Sequence, residues 1–575
     1  MKRLLLVLAV CSSVGLSAAQ EVPLSDISPG QTGYGITAGP GNVLERFDVD
    51  ILGVQQDVGL AFPLILVRAG GSVIEASGGV AAGMSGSPVY LEQGGEDALV
   101  GAVGYVFPSS DHTLALVTPI EAMRESAAEL STHKTSDVLA DYGLSLADAV
   151  PVSTPLLFSG LSERAGGMLD ALFEGADTRL LPVQLGGAGS FDEDAYELQP
   201  GSAVSVQLVR GDITIAAVGT LTALEDDGTV LAFGHPLLGE GEVSFALAPA
   251  FVSHIVPSDV VPFKLANNGR EVLGTISEDR PAAIAGRLDE TPRFLPVTLT
   301  LSGRGQTLGK SFEITDDERY YAPLLASATL QLFDELRGEV SAGTADLAWE
   351  ITLRGGETVR VLEQISDPND IVGGAAQLAA TPLAILAENI FAAPEVTDVA
   401  INLTFEEEQR YAEIIEVVAQ ADEVDPGDIV IANVRLQPYR QEPTVTTVRL
   451  RVPDDAEGSL DIIFRGGLEA PDTEGDEEDP ILSFGELLVA LKDQVQSSEL
   501  IVETFVEDET VRLERVDFPY LIQGEESLVL TVNSVEGDDD EPEEDDDEPE
   551  EEPDEDFPEP NDPAPPPEPT RDLIR

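Results

Sequence analysis

The sequence predicts a mainly β protein of several domains, and three observations carry that expectation. A chain of 575 residues is too long for one core, because domains hold roughly 100 to 200 residues each. Its apolar runs are short and broken by glycine, as in Leu64-Ile65-Leu66-Val67 and Ala98-Leu99-Val100-Gly101-Ala102-Val103, the pattern of strands joined by turns. Farther on, apolar and polar residues alternate, as in Val297-Thr298-Leu299-Thr300-Leu301, with the period of two that a half-buried strand requires.

Lys2 and Arg3 stand ahead of an apolar run over residues 4–10, and the small residues Ser17-Ala18-Ala19 follow. That order is the order of a signal peptide, so residues 1–19 are predicted to be a cleaved leader. The mature chain is then exported, to a periplasm, a cell envelope or the medium. The run is shorter than the roughly 20 apolar residues a span needs, and no stable membrane insertion is expected. Cys11, the single cysteine, lies inside the leader behind the bulky Val10, where a lipid-anchor signal takes a small residue. Without it the chain has no disulfide, no Cys-bound zinc and no thiol nucleophile.

Residues 20–130 are predicted as a first β lobe, barrel or sandwich, ending in a helical stretch that Thr118-Pro119 opens. A connector over 131–179 leads to a second β lobe over 180–290. Its strands show in Val204-Ser205-Val206-Gln207-Leu208-Val209 and Ile213-Thr214-Ile215, with Asp226-Asp227-Gly228 as a turn. Residues 291–420 mix strands with an alanine-rich stretch, 371–393, holding Gly373, Gly374, Pro382 and Glu388. Those residues suit a buried helical pair better than a membrane span. Residues 421–536 are predicted as a β-sandwich module. The last segment, 537–575, is dominated by Asp, Glu and Pro; it buries no apolar surface and repels itself, so a disordered tail is expected.

A formal net charge of −75 repels nucleic acid and anionic membranes, which excludes both as expected partners. No metal or cofactor signature is present: His235 and His254 lack the close helical spacing of a zinc site, and no glycine loop has the spacing that cradles phosphate.

The chemistry concentrates in Gly83-Met84-Ser85-Gly86-Ser87-Pro88. Glycines on both sides of Ser85 permit a tight turn that presents a hydroxyl, with the amides of Gly83 and Ser85 as candidate oxyanion donors.

The surrounding pieces resemble the SpoIVB-type serine peptidase family, the sporulation stage IV B peptidases. In order, they are Pro29-Gly30, Gly33-Tyr34-Gly35, Glu45-Arg46-Phe47-Asp48-Val49, Gly78-Gly79-Val80 leading into the serine loop, and Thr118-Pro119-Ile120-Glu121. A second block follows in Ala232-Phe233-Gly234-His235-Pro236 and Ile284-Ala285-Gly286-Arg287-Leu288. The resemblance implies a two-lobed, chymotrypsin-like β-barrel fold with the site between lobes, and a protein or peptide substrate. It also implies Ser85 as nucleophile and His235 as general base. Here the serine block precedes the histidine block, the reverse of the sporulation peptidase, and triads tolerate any chain order. Where the family carries an aspartate ahead of its serine loop, this chain reads Arg68-Ala69-Gly70-Gly71. Asp48 is the candidate replacement, with Asp50 and Glu75 as alternates. The expectation is therefore an exported serine endopeptidase-like protein; the alternative is an inactive envelope scaffold in a peptidase-like shell.

Overall fold

The computed structural model describes residues 20–56, 60–108, 110–125, 149–169, 180–185, 193–336, 338, 341–468, 481–506 and 509–533. The predicted leader, the acidic tail and most of the connector lie outside the described residues. Strand accounts for 53% of the structure and helix for 16%, so sheets set the architecture.

Six antiparallel strands, Thr32–Ala38, Leu44–Gln55, Leu64–Gly70, Pro88–Gln93, Glu96–Val106 and Leu114–Pro119, close into a first barrel. Glu96–Val106 makes the closure by pairing with both Pro88–Gln93 and Leu114–Pro119, and closure removes the exposed edges of an open sheet. Alternation fixes which residues fill it. Along Leu44–Gln55, Phe47, Val49 and Ile51 point inward onto Ile65 and Val67, while Arg46, Asp48 and Asp50 face out.

A second closed barrel follows from Ala203–Gly211, Thr214–Leu224, Thr229–Ala232, Gly241–Val256, Gly274–Arg280 and Ala283–Arg287. Here Ala203–Gly211 pairs with Thr214–Leu224 on one side and Gly241–Val256 on the other. Phe263–Asn268 lies off the ring against Gly241–Val256 and reaches the first lobe through a parallel bridge between Phe263 and Ala82. The mainly β, two-barrel architecture is thus as the sequence and its resemblance predict.

The sheet of the second barrel continues beyond it. Ala203–Gly211 pairs with Gln306–Thr315, which forms a hairpin with Phe294–Gly303. Phe294–Gly303 pairs in parallel with Val396–Glu406, and Gly343–Leu353 and Thr358–Asp367 complete the sheet. Two helices, Glu318–Leu336 and Ile371–Glu388, share one apolar core with it. The alanine-rich stretch expected as a helical pair is a single helix, Ile371–Glu388, with Pro382 inside it. Burial of Ile371, Ala375, Ala379 and Leu383 holds that helix together across the hydrogen bond the proline cannot donate. Its partner is Glu318–Leu336, and Trp349 Nε1 donates to the Ala379 carbonyl at 3.0 Å. By length and composition Ile371–Glu388 could cross a membrane, and half of that window is buried inside the protein.

Past residue 410, a four-stranded and a five-stranded sheet face each other over a separate core that includes Val434, Leu450, Ile462 and Phe464. Helix Phe484–Asp493, capped by Ser483, inserts Leu487, Leu488 and Leu491 into the large core of the preceding region.

Candidate active site

The serine loop leaves the first barrel and lies against the second. Gly83 and Gly86 both adopt left-handed backbone, with φ of 86° and 87°, which glycine accepts without strain. At Gly86 the space is closed as well: a Cβ would sit 2.0 Å from the Thr220 carbonyl oxygen and 2.5 Å from the Phe233 nitrogen. Thr220 grips the loop twice, its amide donating to the Ser85 carbonyl at 2.8 Å and its hydroxyl to the Gly83 carbonyl at 2.9 Å. The Thr222 hydroxyl adds a bond to the Gly86 carbonyl at 2.8 Å.

Ser85 is completely buried, and its Oγ has no hydrogen-bond partner among the described residues. Its amide likewise makes no hydrogen bond to them. Gly83 does not match its expected role: its amide donates to the Ser153 carbonyl at 3.1 Å, so the residue just ahead of Thr154–Ser159 occupies the donor that an oxyanion would need. Of the two amides, only that of Ser85 is without a hydrogen bond among the described residues.

His235 follows Phe233 and Gly234, both left-handed, with φ of 70° and 69°. A left-handed phenylalanine stores about 1 to 3 kcal/mol of strain. The ring is completely buried, and Nδ1 lies 2.6 Å from the Pro236 carbonyl. A carbonyl only accepts, so Nδ1 carries the proton and Nε2 is the bare nitrogen. Among the described residues Nε2 has no hydrogen-bond partner. Burial pushes the pKa down to about 4, against an upward pull from the Pro236 and Val152 carbonyls. Ser85 and His235 thus occupy apposed turns of the two barrels without a hydrogen bond to each other.

Asp48 is a correction. It is exposed on the outside of the first barrel, with its carboxylate against Gly71. Period two put it on a face, and that face is the outer one. Asp50 and Glu75 are exposed too, and the Nδ1 partner of His235 is a backbone carbonyl rather than an acid. The buried carboxylate nearest in sequence to this turn, Asp279, serves backbone instead: it accepts from the amides of Leu237 and Leu238 at 2.7 Å each and of Gly239 at 2.8 Å. Burial raises its pKa and those amides oppose the rise. It fixes the segment leaving His235.

One residue escaped the sequence reading. Lys264 is fully buried at the start of Phe263–Asn268, and its side chain packs on Gly83. Its Nζ donates to the hydroxyls of Thr37 at 2.8 Å and Thr220 at 3.2 Å. Ser87 of the serine loop donates to the same Thr37 hydroxyl at 3.0 Å. Burial lowers the Lys264 pKa to about 7, and the more distant Glu45 opposes the fall. The available signal was parity: Lys264 alternates in step with the buried Ala266, so it points inward.

Val80, Ala82, Phe107, Val152 and Pro262 line a small cleft of about 30 Å³ beside the loop. Among the described residues no group of His, Cys, Asp and Glu is placed to hold a metal ion. Compared with family models, curated proteins and solved structures, the chain matches none.

Proposed function

We propose that this protein is an exported serine endopeptidase-like hydrolase, acting on protein or peptide substrates with Ser85 as nucleophile. One observation carries the reading: Ser85 Oγ and His235 Nε2 are both buried and both unpartnered at the junction of two closed barrels. Buried polar atoms without partners cost about 1 to 3 kcal/mol each, and such orphans ask for a functional reason. The free Ser85 amide supports the same reading, as a donor for the oxyanion of a tetrahedral intermediate. The family resemblance implies His235 as the base; its Nε2 is bare, as that role needs, but burial weakens it. Export rests on the leader-like sequence over 1–19.

A second reading, a scaffold that keeps the shell without turnover, has its own support. Among the described residues no carboxylate hydrogen-bonds the imidazole, and Ser85, His235 and Lys264 are all closed off from solvent. Fluorophosphonate labelling separates the two. An active serine hydrolase is labelled at Ser85, as mapped by peptide mass spectrometry, and Ser85→Ala removes the label; a folded wild type that stays unlabelled supports the scaffold.

A further inference from the structure

Proton transfer from a serine hydroxyl needs a base matched to the working pH, and His235, held near pKa 4 by burial, is too weak a base at neutral pH. The molecule places another base on the same loop. Lys264 is fully buried with no carboxylate in ion-pair contact among the described residues, and its Nζ is held by two hydroxyls alone. Both hydroxyls belong to the serine loop's own cradle: Thr220 bonds the carbonyls of Gly83 and Ser85, and Thr37 accepts from Ser87. Resting on the reading of Ser85 as nucleophile, we infer that Lys264 is the general base of this site, forming a serine–lysine pair across the two barrels with Thr37 and Thr220 as positioning residues.

A buried lysine without an anionic partner loses its proton readily, and the pKa near 7 is in keeping with that. Few other charges reach it. Glu45, on the neighbouring Leu44–Gln55, is the acid whose field acts on it. On Gly241–Val256, His254 stands exposed opposite Leu265, while Thr37, Pro155, Thr220 and Gly83, which surround the side chain, do not titrate.

The chemistry balances with these groups and water. As Ser85 Oγ bonds the substrate's carbonyl carbon, its proton passes to the lone pair of Nζ. The ammonium then returns that proton to the departing amine nitrogen as the C–N bond breaks, leaving an ester on Ser85. Water attacks the ester and gives a proton to Nζ; the ester C–O bond breaks, and the proton returns to Ser85. Ser85 Oγ and Nζ are not hydrogen-bonded in this closed form, and catalytic contacts commonly tighten only around substrate.

The test measures second-order labelling rates of the full chain with a fluorophosphonate at low probe concentration, from pH 5 to 9. For the wild type, the rate should climb about tenfold per pH unit and level off near 7. Lys264→Met, an apolar chain of similar length, should label at least about 100-fold more slowly, the low end for loss of a general base, with unchanged circular dichroism. A Lys264→Met protein that labels at the wild-type rate overturns the inference and leaves the serine hydrolase reading standing. A wild type never labelled at Ser85 overturns both. Should Lys264→Met fail to fold, the wild-type profile decides: a flat profile, or one that levels off well below pH 7, rejects Lys264.

Discussion

At Lys264 the chain keeps an amine where its charge is unwelcome, and that has a measurable thermodynamic sign. The folded pKa of about 7 lies below the ordinary value of 10.5, so over that interval the unfolded chain binds more protons and stability rises with pH. The penalty is full below about pH 7, shrinks between 7 and 10.5, and is gone above. Lys264→Met should therefore be more stable than wild type, by on the order of 4 kcal/mol at pH 6, with the difference vanishing toward pH 10.5; denaturant midpoints across pH measure it. Ser85 and His235 stand out in the sequence as candidates because each sits in a compact glycine-bearing motif whose chemistry is local. Lys264 does not, since its meaning depends on Phe263 bridging to Ala82, a contact 181 positions apart in sequence. Asp48 misled for a related reason: alternation assigns a residue to one face of a strand and does not say which face a closing barrel turns inward.

Among the elements, the serine loop is the one whose shape is dictated from outside. Gly86 needs both its left-handed φ and its missing Cβ, because Thr220 and Phe233 of the second barrel occupy the space. Gly86→Ala should destabilise the protein by more than about 3 kcal/mol, in the range of severe steric substitutions. Gly94 is the control: it is also left-handed, with φ of 65°, but open space surrounds it, so Gly94→Ala should lose only about 1 kcal/mol. Urea unfolding of the two variants makes the comparison. Strand runs of both lobes could be read from glycine punctuation and alternation, and the C-terminal sandwich from Val448-Arg449-Leu450-Arg451. The helix Ile371–Glu388 was harder, because Pro382 and two glycines speak against continuity at the local level, and only packing against Glu318–Leu336 and Trp349 overrides them.

For the molecule as a whole, the barrels are closed on themselves and on each other, so reaction at Ser85 requires an opening step. Labelling by a bulky fluorophosphonate should then saturate as probe concentration rises, at a ceiling set by opening rather than by chemistry; stopped assays over a wide probe range test this, and a rate that stays linear throughout shows direct access. Barrel closure itself could not be read from the residues, since strands are local and the pairing of Glu96–Val106 with Leu114–Pro119, or of Ala203–Gly211 with Gly241–Val256, is a relation between them. Chain order gives the two barrels a further consequence, in time. The first barrel is complete by Pro119 and carries Ser85, the proposed nucleophile, whereas Lys264 lies 179 residues after Ser85 and the second barrel ends only at Arg287. At a synthesis rate of roughly 5 to 20 residues per second, about 10 to 35 seconds separate the emergence of Ser85 from that of Lys264. If Ser85 is the nucleophile, a newborn chain carries it idle through that interval, and its own length acts as a clock that withholds chemistry until the second half has arrived.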